Sequence, residues 1–201
     1  MIAIIDYDAG NIKSVEKALD YLHADYILTK DPDELMKADH VILPGVGAFG
    51  DAMTKLHASG LVSVIRRIIA NGTPFMGVCL GLQLLFDESE EAPGVQGLGI
   101  LKGRVLKIPQ AEGLKIPQIG WNSLQFPNRG RLFEGIAENS FVYFVHSYYL
   151  QADDPSIVTA TCEYGVTVHA SVESGNIFAC QFHPEKSSET GLRILKNFIA
   201  V

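Results

Sequence analysis

Residues 75–86 read FMGVCLGLQLLF. An apolar run ends in a cysteine set between two glycines, and a second apolar run follows. PFMGV (74–78) fits a buried strand and LGLQLLFD a helix. Gly77-Val78-Cys79-Leu80-Gly81 then falls at a strand-to-helix turn, in a G-x-C-x-G spacing that parallels the G-x-S-x-G elbow of hydrolases. Glycines there remove side chains that would clash across the turn. The turn sets Cys79 at a helix N-terminus, where exposed N–H groups favour a thiolate, and the Leu80 N–H can face a developing oxyanion. The competing reading is a buried structural cysteine. Cys162, in TATCEY, and Cys180, in FACQF, have neither flanking glycines nor a following helix and read as core or sheet residues.

Outward from this turn the pattern alternates. IAII (2–5), YILT (26–29), HVILPG (40–45) and PFMGV read as strands. A helix from Ile12 to about Leu22 separates the first two, with Asn11 as N-cap and Val15, Leu19 and Leu22 at helical spacing. A helical stretch over about 50–71, broken near Ser59-Gly60, separates the last two. This βαβα rhythm predicts a parallel sheet with helices on both faces. Beyond residue 100 the runs ILKGRVLKI, SLQF, FVYFV, IVTATCEY, VTVHASV and IFACQF are strand-like with little helix between them, and predict antiparallel additions to the sheet. A helix over about 188–199, with Leu192, Leu195 and Ile199 on one face, ends the chain. PQAEG and PNRGR read as surface turns, so residues 1–201 read as one α/β domain.

Composition narrows the function classes. The net charge of −7, without a basic stripe, argues against nucleic acid or an anionic membrane as main partner. No apolar stretch is long enough to span a bilayer. MIAIIDYDAG lacks the basic start and small-residue cleavage site of a signal peptide. Three widely spaced cysteines suit a reducing cytoplasm better than a disulfide framework.

A thiol nucleophile needs a base, and the base needs an orienter. His23, His40, His57 and His169 sit in ordinary helix, strand or edge contexts. His183, in CQFHPEKSS, is followed two residues later by Glu185 across Pro184. Proline holds the preceding residue extended, and in extended chain residues two apart share a side. The carboxylate can therefore reach the imidazole. Cys180, three residues before His183, would face the other way, which favours Cys79 as the partner thiol. No usual metal-ligand spacing is present, so no metal is expected.

PGVGAFG (44–50), GVCLGLQLLF (77–86) and FHPEKSS (182–188) resemble the three signature blocks of the class I, triad-type glutamine amidotransferases. DYDAGNIKSV, ESEEAPGVQGLGI, PQIGWN and FVHSYY resemble, within that family, the glutaminase subunits of imidazole glycerol phosphate synthases. The resemblance covers essentially the whole chain. It implies a flavodoxin-like three-layer sandwich, with no cofactor. Cys79 would attack the side-chain amide of glutamine, His183 would move the proton and Glu185 would orient His183. Leu80 and the Gly45-Val46-Gly47 loop would hold the oxyanion. Gln83, Gly45, His146, Ser147 and Tyr148 would bind the substrate. Ammonia would pass to a (β/α)8-barrel cyclase docked on a face that includes Asn11, Trp121, Tyr143 and Lys186. Trp121 has a second reading, since a lone tryptophan is more often core than interface. Two positions depart from the family pattern: Gln118 stands where histidine is more common, and Asp8 where glycine is. Alternatives remain at this stage: a glutaminase subunit for another acceptor, such as anthranilate synthase; a non-catalytic module that senses glutamine; and a hydrolase of esters or peptides, which the close His183–Glu185 spacing disfavours.

Overall fold

The computed structural model describes residues 1–8 and 12–201. The proposed Asn11 cap and docking contact lie outside the described residues. In chain order the elements are β1 (Ile2–Ile5), α1 (Ile12–Tyr21), β2 (Tyr26–Thr29), α2 (Pro32–Lys37), β3 (His40–Leu43), α3 (Phe49–Ala58), α4 (Leu61–Ala70), β4 (Phe75–Val78) and α5 (Leu80–Leu84). They continue with β5 (Glu88–Ser89), β6 (Gly103–Lys107), β7 (Gln118–Ser123), β8 (Phe141–His146), β9 (Tyr148–Ala152), β10 (Val158–Glu163), β11 (Thr167–Ser174), β12 (Ile177–Cys180) and α6 (Ser188–Ile199).

The main sheet has the order β10-β11-β12-β4-β3-β1-β2. Strands β12, β4, β3, β1 and β2 run parallel, and β11 and β10 extend the sheet by antiparallel pairing. Strand parity divides the core, because successive side chains point to opposite faces. Ala3, Ile5, Val41, Leu43 and Phe75 pack with Leu35 of α2, Met53 of α3 and Ile65 of α4. Ile2, Ile4, Ile42, Met76 and Val78 pack with Leu19 of α1 and Leu195 and Phe198 of α6. Both faces are covered, which is why these strands read as unbroken apolar runs.

The structure differs from the sequence reading in four places. The later strands do not all join the main sheet: β5, β6 and β9 form a small separate sheet, and β7 and β8 form a two-stranded antiparallel ribbon. β12 joins parallel to β4, not antiparallel. Local pattern identifies a strand but carries no information about its neighbour. Helix α2 was not anticipated, although Asp31 caps the N–H groups of Asp33 and Glu34 and Pro32 opens its first turn. The buried stripe of α6 runs through Gly191, Ile194, Leu195 and Phe198, while Leu192 and Ile199 sit at its margin.

The break anticipated near Gly60 is a left-handed residue, φ 70°, between α3 and α4. Asp8 also adopts a positive φ of 60°, which explains why glycine suits that position; Asp and Asn tolerate this region better than other side chains. Turn and sheet meet most closely at Gly81, where a Cβ would lie 2.0 Å from the Leu43 carbonyl oxygen at the end of β3. At Gly77 a Cβ would lie 2.6 Å from the Gly81 carbonyl oxygen. Backbone cannot yield as a side chain can. Gly81→Ala is therefore expected to destabilise the fold by about 3 kcal/mol or more, read as a fall in the urea midpoint; an unchanged midpoint would show that α5 is free to shift.

Candidate active site

Three neighbouring parallel strands, β12, β4 and β3, end at one edge of the sheet, where open α/β sheets place their ligands. Register sets the alignment. Gly77 lies beside Leu43 and Ala179, and Val78 beside Cys180. The next steps along each chain therefore bring the 44–47 loop, Cys79 and Gln181 to one level. Cys79 is anchored by its N–H to the Cys180 carbonyl at 2.8 Å.

Cys79 has φ 55° and ψ −108°, an unfavourable conformation for a side chain with a Cβ. It is 7% exposed and lines a cavity of about 300 Å³. Helix α5 is only five residues long, shorter than the sequence pattern suggested. Its macrodipole is correspondingly small, and its local N–H groups matter more. The Leu80 N–H is engaged by the Gly45 carbonyl at 3.4 Å. Val46 and Gly47 line the cavity with Leu80; Gly45 is buried and does not. Tyr7, buried beneath the loop, donates its O–H to the Pro44 carbonyl at 2.9 Å. Burial and the nearby Cys79 raise its pKa well above the usual range, so it stays a neutral donor.

His183 is 2% exposed and lines the same cavity. Its Nδ1 lies 2.7 Å from Glu185 Oε1, and the carboxylate is itself almost fully buried behind the ring. This contact arises through a 3-10 turn over Pro184–Lys186, rather than through the extended chain that the Pro184 spacing suggested. Among the described residues His183 Nε2 is buried with no hydrogen-bond partner. Burial alone would lower the His183 pKa, but the adjoining Cys79 and the bonded Glu185 carboxylate outweigh it and raise the pKa to about 10. A buried, unpartnered imidazole nitrogen beside a thiol and backed by a carboxylate is a group placed to exchange protons. The other cysteines lack this setting: burial pushes the Cys162 thiol up to about 12 and holds Cys180 well above its ordinary value.

The opposite wall is the β7–β8 ribbon and its exit. Val145, His146, Ser147 and Tyr148 all line the cavity. His146 is 6% exposed, with Nδ1 2.8 Å from the Tyr148 carbonyl and Nε2 2.9 Å from the Gln118 side-chain amide. Burial lowers its pKa to about 4, so the ring is neutral near pH 7. A neutral ring carries one N–H, and the Tyr148 carbonyl can only accept it. Nε2 is then an acceptor, which calls for the NH2 end of Gln118 to face it. Gln118 and His146 are cross-strand partners, so the unusual residue at 118 touches the pocket through His146.

Gln83 lines the cavity, but its amide is committed inward: Nε2 donates to Gln181 Oε1 at 2.9 Å and to the Tyr148 carbonyl at 3.2 Å. Only its Oε1 is left to offer a ligand. Four residues escaped the sequence reading. Glu91 and Pro117 line the cavity, Val145 places its carbonyl 3.9 Å from Cys79 Sγ, and Gln181 places its amide 3.6 Å from the same sulfur. Glu91 stood in view within the acidic stretch ESEEAPG, with nothing local to say which carboxylate turns inward.

Of the proposed docking residues, Trp121 is 52% exposed, against the core reading, and packs edge-to-face on the half-buried Tyr143 with ring centroids 6.1 Å apart. Ile119 and Phe141 extend this exposed apolar face. Lys186 is half-buried in the turn after His183. The ribbon and this turn are stitched together. The His183 N–H donates to the Tyr143 carbonyl at 2.9 Å, the Tyr143 N–H donates to Ser187 Oγ at 2.9 Å, and Ser187 donates to the His183 carbonyl at 2.6 Å.

The chain is similar to known proteins over its whole length. The imidazole glycerol phosphate synthase subunit HisH of Moorella thermoacetica is 52% identical over 197 residues, covering 98% of this chain and 93% of the relative. The protein of the same name from Methanothermobacter thermautotrophicus is 50% identical, covering 100% and 98%. Among solved structures, a crystal structure of a glutamine amidotransferase superimposes with a TM-score of 0.77 at 20% identity, covering 100% of this chain and 98% of the other. PurLQS from Thermotoga maritima gives a TM-score of 0.73 at 22% identity, covering 99% and 97%. These two share the fold. The family description "Glutamine amidotransferase class-I" matches residues 3–201, and the chain belongs to that family.

Proposed function

We propose that this chain, as one glutamine amidotransferase domain, is the glutaminase subunit of an imidazole glycerol phosphate synthase in histidine biosynthesis. It hydrolyses glutamine to glutamate and ammonia and delivers the ammonia to a (β/α)8-barrel cyclase in the cytoplasm. The observation that carries the reading is the buried His183 imidazole, Glu185 on one nitrogen and the other unpartnered beside Cys79, in a cavity sized for a small substrate. Full-length relatives named as that subunit support the choice among acceptors.

In this reading His183 holds the proton given up by Cys79, as the raised pKa of the ring favours, and the thiolate attacks the amide carbon of glutamine. The negative oxygen that forms is held by the N–H of Leu80 and by one from the Val46–Gly47 segment. Because the Gly45 carbonyl engages the Leu80 N–H, the loop must shift to free it. His183 then protonates the leaving nitrogen, ammonia departs, and water, deprotonated by the same imidazole, cleaves the thioester. Glu91 offers a countercharge to the substrate's ammonium group, and Gln83 Oε1 offers it an acceptor. The neutral His146 adds no positive charge to the cavity that could compete for the thiolate.

The exposed Ile119, Trp121, Phe141 and Tyr143 face suits a protein partner, and the stitch between Tyr143 and His183 links that face to the base. Free ammonia would be protonated by solvent and lost as a nucleophile, so docking serves the chemistry directly.

Glutamate release should be strongly stimulated by the cyclase subunit with its nucleotide bound, and Cys79→Ala should abolish it. Stimulation without dependence on Cys79, or no release with the cyclase present, would overturn the assignment. Trp121→Ala should weaken cyclase binding by about 2 kcal/mol, roughly thirtyfold in Kd, with the fold intact by circular dichroism; unchanged binding in a titration calorimeter would move the docking face elsewhere.

The pH dependence of stability separates the two buried histidines. His146 binds its proton in the unfolded chain below 6.5 but in the folded chain only below about 4. Stability therefore falls as pH drops through that window, by up to about 3 kcal/mol. His183 acts oppositely: its contribution is complete below 6.5 and is lost as pH rises towards 10. Urea midpoints of the native protein and His146→Asn, measured from pH 7 to pH 4, should converge as pH falls; parallel curves would place the titration on another group.

A further inference from the structure

We propose that Gln181 is a catalytic residue: its side-chain amide is the hydrogen-bond donor that holds the Cys79 sulfur in its ionised form, and Gln83 fixes which end of that amide faces the sulfur. This deepens the proposed glutaminase reading and rests on it for the identity of the nucleophile.

Gln181 is fully buried, and its Nε2 lies 3.6 Å from Cys79 Sγ. The orientation is set by elimination. The Tyr148 carbonyl can only accept, so the end of Gln83 that meets it is the NH2. That same NH2 meets Gln181 at 2.9 Å, which requires the Gln181 oxygen there. The NH2 of Gln181 must then face Sγ. Turning either amide would set donor against donor or acceptor against acceptor between buried groups. The backbone is held as well, since the Gln181 N–H donates to the Ala170 carbonyl of β11 at 2.8 Å.

The sulfur has one opposing neighbour. The Val145 carbonyl, 3.9 Å away, can accept from a thiol but repels a thiolate. Cys79 thus lies between a group that favours S–H and an amide that favours S⁻. When His183 removes the proton, the bond to Val145 is lost and the one to Gln181 strengthens, because bonds to charged acceptors exceed neutral ones. Gln83 polarises the Gln181 amide through its oxygen, and the chain of two amides stabilises the anion without a fixed cation that would blunt its attack.

The test follows alkylation of Cys79 by iodoacetamide across pH, which needs neither glutamine nor the cyclase and so stands apart from failure of the functional assignment. Cys79→Ser supplies the background from Cys162 and Cys180. Gln181→Met keeps the volume and removes the donor; Gln181→Glu keeps the acceptor for Gln83 and removes the donor. Both should move the pH of half-maximal alkylation upward by about one to two units. Gln83→Met, which frees the Gln181 amide to turn, should move it upward by less. A midpoint unchanged in whichever Gln181 variant retains native circular dichroism would reduce the residue to packing and overturn the proposal. If neither folds, an unchanged midpoint in Gln83→Met would do so.

Discussion

The chemistry of this protein depends on one backbone turn. Cys79 is held at a positive φ between a strand and a short helix, and the turn closes only because Gly77 and Gly81 carry no side chains. The close approach of Gly81 to the Leu43 carbonyl brings the ends of β4 and β3 together, and with them Cys79 and the 44–47 loop. The unfavourable torsion is sustained by the backbone contacts of the turn with β3 and β12, as is usual where a conformation serves reactivity more than stability. A relaxed turn would carry the sulfur away from His183 and Gln181 together.

The register of the parallel sheet does the rest of the alignment. Strands β12, β4 and β3 end side by side, so residues distant in the chain are delivered to one level without long side chains reaching across. The β7–β8 ribbon, absent from the main sheet, closes the cavity from the other side. It also carries the exposed aromatic face, and its backbone is bonded to the turn that holds His183. Surface and site thus share one hydrogen-bonded element.

The polar interior is economical. His146 is kept neutral by burial, while at His183, as deeply buried, Cys79 and the Glu185 carboxylate raise the affinity for a proton. Desolvation pulls both down, and only the one with an anionic partner escapes it. Two buried glutamines complete the surround of the sulfur, each satisfying the other.

Much was legible in the chain alone. The first four strands, α1, the break at Gly60, the elbow and the pairing of His183 with Glu185 follow from local spacing, since period, glycine and proline act over a few residues; the 3-10 turn that makes the pairing does not. Asp8 and Gln118 already stood out as departures, and their reasons, a left-handed torsion and a contact with His146, are spatial. Strand partners, the separation of β5–β9 from the main sheet, the exposure of Trp121, the inward turn of Glu91 and the contact of Gln181 with the sulfur were decided only by tertiary structure. Each depends on which distant segment lies alongside, and local pattern does not encode that. The sequence by itself determined the turn and the residue types that perform the chemistry; packing of the sheet decided which of them meet.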